Sequence, residues 1–131
     1  MVPSTIRAEI IENLSTIADL HPFEFEPDIV VAPACIVGML TVDYNSAMGN
    51  KHEATVPVTL VVKRISNRAG QKALDGYLAS TGATSVKAAI ESDPTLDGNI
   101  DALIVESATP GLYESGGISY LAYRFNVKLY A

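Results

Sequence analysis

His21, Glu24, Glu26 and Asp28 crowd into one eight-residue run, "HPFEFEPD". An imidazole beside carboxylates offers metal-ligand types at short spacing. Pro22 and Pro27 hold that run extended, so its side chains point in different directions. A solvated acidic linker is the stronger reading, and no metal site is assigned. His52 lies far from His21, and neither has a partner four residues away. Cys35 sits in an apolar strand context and reads as a small core residue rather than a nucleophile. Ser119, in "GGISY", opens a strand, whereas a nucleophile elbow needs a strand-to-helix turn. "TSVK" places Ser85 and Lys87 in a loose Ser-x-x-Lys-like pattern, shifted and without partners; a helix start with an exposed lysine explains it. "DPTLDGNID" has acids and a glycine but lacks the alternating ligands and closing Glu of a calcium loop. "RAGQKALDG" misses the spacing of a phosphate-binding loop. No constellation carries a reaction. The chain is expected to be a non-enzyme with no cofactor.

The elements that would position any such residues are easier to read. Ile6, Ile10, Leu14, Ile17 and Ala18 recur at helical spacing after "VPS", with Arg7, Glu9, Glu12 and Asn13 between them. Ser4 is the expected N-cap, and the helix should end before Pro22. "PDIVVAP" and "CIVGMLTVDY" predict extended chain from about Ile29 and a strand from about Ile36 to Tyr44. "NSAMGNKHE" reads as a loop. "ATVPVTLVVKR" is the next strand, with Val56, Val58, Leu60 and Val62 on one face. Pro57 suggests an edge or a bulge there. The pair makes a long hairpin.

"SNRAGQKALDGYLA" has an apolar stripe of Ala69, Ala73, Leu74, Tyr77 and Leu78 and predicts a helix, broken at Gly82. "TSVKAAIESD" predicts a short helix with Val86, Ala89 and Ile90 inward. "TLDGN" is a turn, "IDALIVESA" a strand and "TPGLYESGG" a glycine-rich loop. The closing strand, "ISYLAYRFNVKLYA", alternates cleanly. Leu121, Tyr123, Phe125, Val127 and Leu129 take one face; Tyr120, Arg124, Asn126 and Lys128 take the other. The expected fold is α+β in one domain, residues 1–131. It has an antiparallel sheet of about four strands with helices packed on one face.

Of the 131 residues, 48% are hydrophobic and 18% charged, and the net charge is −6. That size supports a core without disulfides or metals. Low charge suits either a compact core or large subunit contacts. An acidic chain does not condense on phosphate backbones, whose affinity comes from Lys and Arg. Cys35 is the single cysteine, so no intrachain disulfide forms. No secretory leader pattern and no membrane-length apolar run occurs. A soluble protein made in a cytoplasm is expected.

One run combines several of these features: "VTLVVKRISNRAGQKALDGYLASTGATSVKAAIESDPTLDGNIDALIVESA", followed by a glycine-containing loop and "YLAYRFNVKLYA". It resembles the tail terminator proteins of long-tailed bacteriophages, particularly those of actinobacteria. "PDIVVAPACIVGMLTVDY" followed by a glycine-containing loop fits as well. The resemblance covers nearly the whole chain and is most specific over residues 58–106. Head–tail connector and head-completion proteins are similarly small and form the alternative. A small ligand-binding α+β domain is a further one; a deep apolar pocket with converging polar groups would favour it.

The resemblance implies a virion structural protein assembled in the host cytoplasm. It implies a ring, typically hexameric, that caps the tail tube, stops its polymerisation and joins the tail to the head connector. The partners would be further copies of the chain, the tail tube protein and the connector protein. DNA would pass through an acidic lumen without specific binding. Subunit contacts are then expected at the tip of the first hairpin, with Met48, Lys51, His52 and Glu53. They are also expected on the outward face of the closing strand, with Tyr120, Arg124 and Lys128, against an acidic patch of a neighbour.

Overall fold

The computed structural model describes residues 2–17, 20–23, 33–44, 53–64, 75–82, 85–98, 100–115 and 117–130. Helix α1 is Pro3–Leu14. Ile6, Ile10 and Leu14 recur every fourth residue and are fully buried. The N-cap is Val2, with Pro3 at the first helical position, rather than the expected Ser4. Proline fits there because its φ is already helical and its missing N–H would have had no helical partner. The helix ends at Leu14, where Ser15 and Thr16 donate their hydroxyls to the carbonyls of Ile11 and Asn13 at 2.8 and 2.7 Å. Those bonds compete with continuation of the ladder. Ile17 stays in the core beyond the helix end.

Among the described residues, six strands form one sheet: β1 (His21–Phe23), β2 (Ala34–Val37), β3 (Thr41–Asp43), β4 (Glu53–Arg64), β5 (Ala102–Ser115) and β6 (Ile118–Tyr130). The order is β1-β2-β4-β6-β5, and β3 also pairs with β4. Every pairing is antiparallel except β1 with β2. The class is α+β, with six strands where the sequence suggested about four. Two differences account for the count, and a third lengthens β5. His21–Phe23, expected in a linker, is a strand alongside β2. The strand expected over 36–44 divides at residues 38–40 into β2 and β3. The expected loop "TPGLYESGG" is strand through Ser115, so β5 and β6 make a hairpin more than ten residues long on each side.

Gly38 and Pro57 explain the division. The Gly38 N–H donates to the Pro57 carbonyl at 2.8 Å, and a Cβ on Gly38 would stand 2.7 Å from the proline ring. Only glycine lets the backbone come that close. Pro57 lies inside a central strand, not on an edge, but it lacks an N–H where the neighbouring strand is interrupted. Its missing donor therefore strands no partner.

Helix α2 is Val86–Glu91, and residues 75–78 are also helical. Ser85 caps α2, its hydroxyl accepting from the Ala88 N–H at 3.1 Å and donating to the Ala79 carbonyl. Val86, Ala89 and Ile90 face inward, as their spacing predicts. Leu96 follows in the left-handed region with φ 47°, yet is wholly buried. The core lies between the helices and one sheet face. It joins Ile6, Ile10 and Leu14 to Val56, Val58, Leu60, Phe125, Val127 and Leu129, and Tyr77 reaches it. The rest of the helix predicted from residue 68 lies outside the described residues.

The other sheet face has a smaller cluster of Ala34, Ile36, Val61 and Ala122, with Phe23, Tyr113 and Tyr120 against it. The sequence reading assigned one buried face only. "ACIV" is buried on both faces, which is why it reads as a continuous apolar run rather than an alternation.

Candidate functional site

Among the described residues, the helical layer covers β2, β4 and β6 but only the start of β5. Leu103 and Val105 join the core. A bulge then falls between Val105 and Ser107, and residues 106–112 are exposed on both faces of the strand. Leu112, on the helix side, is 62% exposed. The distal halves of β5 and β6 thus form an arm whose outer strand is uncovered.

On the face away from the helices, three strands bring named residues into rows. Thr59, Arg124 and Thr109 are in register, then Val61, Ala122 and Gly111, then Tyr120 with Tyr113. A groove of about 440 Å³ runs over them, lined by Thr59, Thr109, Gly111, Tyr113, Ala122 and Arg124 among others. Gly111 makes the dent. Across it stands Ala122, the smallest side chain of β6, and a Cβ on Gly111 would stand in open space.

The cations near this surface behave differently. Lys128 bonds to Glu53 of its own chain at 2.7 Å and lies 5.8 Å from the Tyr130 ring centre. The hydrogen bond and charge of Glu53 raise its pKa further above the usual lysine value. Arg124 is exposed and makes no ion pair among the described residues.

The expected contact residues therefore separate. Arg124 lies in the groove. Tyr120 is half-buried against the outer-face cluster beside it. Lys128 is engaged within the chain, and Glu53, expected at a loop tip, is the first residue of β4. Met48, Lys51 and His52 lie outside the described residues. Gly111, Thr109 and Tyr113 were missed, because "TPGLYESGG" carries the turn-forming residues of a loop. The signal that could have found them was the length of the closing strand, which needs a partner along all of its length.

The other chemical candidates resolve into local structure. Burial pushes the Cys35 thiol up to about 12, so it stays protonated and unreactive near neutrality. Ser85 is the α2 cap, and Lys87 bonds to both Glu91 carboxylate oxygens at 2.7 and 2.8 Å. Ser119 faces Glu114 at 3.4 Å. The Asp93 carboxylate accepts from the Asp97 N–H at 2.8 Å and shapes the turn at Leu96. His21 is exposed on β1; Glu24, Glu26 and Asp28 lie outside the described residues. Among the described residues, no group of three or more His, Cys, Asp or Glu side chains is placed to hold a metal ion, and no helix is long and apolar enough to cross a membrane.

The chain matches no protein-family model, and no curated protein matches it.

Proposed function

We propose that the protein is a bacteriophage tail terminator: a subunit of a ring, of six by the resemblance, that caps the tail tube and joins it to the head connector. The observation that carries this reading beyond the sequence resemblance is the β5–β6 arm. It extends past the helical layer with both faces of its outer strand exposed and a groove of its own. A closed ring needs two different surfaces on each subunit, one fitting the other. The arm supplies one such surface, distinct from the helical layer. The proposed partners are further copies of the chain, the tail tube protein and the connector, and the proposed location is the head-proximal end of the virion tail. DNA would cross the lumen without specific binding, since the chain carries a net charge of −6.

Depletion of the protein during phage assembly tests the reading. Loss of a terminator leaves tube polymerisation unchecked, so overlong tubes are expected. Tails of normal length that fail to join heads would assign the protein to the connector class instead.

A further inference from the structure

Among the described residues, nothing requires residue 111 to be glycine. The Gly111 φ is not in the left-handed region, and an added Cβ meets none of those residues within 4 Å. Glycine in a strand interior costs conformational entropy and packs nothing. Such a residue marks a bulge, a tight bend or a place where another surface approaches closely. The register runs unshifted from Ser107 to Ser115, so Gly111 is not at a bulge, and we take it to mark a close approach. Beside it stands Arg124, exposed and without an ion pair among the described residues.

The mode of approach also follows from the register. Pro57 turns its carbonyl toward Gly38, on the β2 side. Alternation across β4 and β6 then turns Thr109 toward β6 and Pro110 toward the free edge of β5. The edge thus lacks a donor at Pro110, which blunts strand addition there. A partner meets the arm on its face rather than by extending the sheet.

The acidic complement lies on the opposite layer. Helix α1 packs on α2. Glu9 of α1 lies near Glu12 of the same helix and near Asp93 and Asp97 of the turn after α2. The Glu9 carboxyl is held above the usual range by desolvation first, then by Glu12, Asp97 and Asp93. Glu9, Glu12 and Asp97 make no ion pair among the described residues. The groove faces away from the helices, so it cannot meet this surface within one chain.

We propose that the groove over Gly111 receives a second copy of this chain, with Arg124 set against that copy's Glu9 and Glu12. The identity of the occupant rests on the ring reading above. The contact is head-to-tail, and opposite charges fix its register.

Four chains test it by light scattering, alone and with tail tube protein: the parent, Gly111→Val, Arg124→Glu, and a Glu9→Lys/Glu12→Lys double variant. The parent is expected to assemble. Each variant is expected to run at the 13.9 kDa of one chain, with the circular dichroism of a folded protein. Mixing Arg124→Glu with the double variant should restore assembly, because alternating subunits then place opposite charges at every contact. Folded Gly111→Val and Arg124→Glu chains that both assemble like the parent would overturn the groove while leaving the ring reading intact. Assembly lost in all three variants and not restored by mixing would overturn the acidic surface as the occupant. A parent that stays a single chain in both conditions would overturn the ring reading and this contact together.

Discussion

The two halves of the β5–β6 hairpin share strands and antiparallel pairing, offset by one residue at the bulge after Val105, yet only in the first half does β5 join the core. At the proximal half, Leu103, Val127 and Leu129 lie under the helices and are buried. At the distal half, Ala108, Pro110 and Leu112 occupy the same face and are exposed. Alternation alone therefore does not decide burial; a covering layer does. The proximal half answers to the stability of one chain. The distal half carries a glycine with no internal role and an arginine without an ion pair among the described residues, and we assign it to contact with another chain.

Substitutions can break or sharpen that contrast. The largest effect is expected in the core of β6, on the rung that joins Phe125 to Ala108. Phe125 is buried in the main core, and Phe125→Ala should cost about 3–5 kcal/mol in denaturant unfolding, through lost transfer energy and a cavity. A cost under about 1 kcal/mol would place Phe125 at the margin of the core.

Cys35 reports the same region by pH. Its folded pKa is raised, so folding favours the thiol over the thiolate. That contribution is complete below the unfolded value of about 9 and is lost as pH rises toward about 12. Between those limits, the parent should lose about 1.4 kcal/mol per pH unit relative to Cys35→Ala. Parallel stability curves would show that the thiol is not desolvated.

Distally, the sign should reverse. Gly111→Ala is expected to stabilise the isolated chain by about 0.5–1 kcal/mol, because the unfolded state loses freedom and the added methyl meets open space. Destabilisation by that amount would mean that the fold itself needs the glycine. Leu112→Asn should change unfolding by less than about 0.5 kcal/mol, as for other exposed positions. A cost above about 2 kcal/mol would show that the arm is packed in the single chain.

The sequence disclosed the proximal half well. The inward stripes of α1 and α2, the core face of β4 and the buried end of β6 all follow from period. Three features were hidden for physical reasons. β1 contains Pro22 and spans only three residues, too short for alternation to register. The outer-face cluster depends on Ala34 and Ala122, which are too small to stand out as core. The arm of β5 contains Pro110 and Gly111, both turn-formers in isolation, and is strand because β6 pairs with it throughout. Arg124 was legible as outward-facing from alternation. Its separation from Lys128 was not, because that depends on Glu53 arriving on the adjacent strand.

Electron microscopy of the purified protein, alone and mixed with tail tubes, tests the central claim most directly. Closed rings of a single size, seated at one end of each tube, are the expected result. Single subunits in both preparations, with bare tube ends, would contradict it.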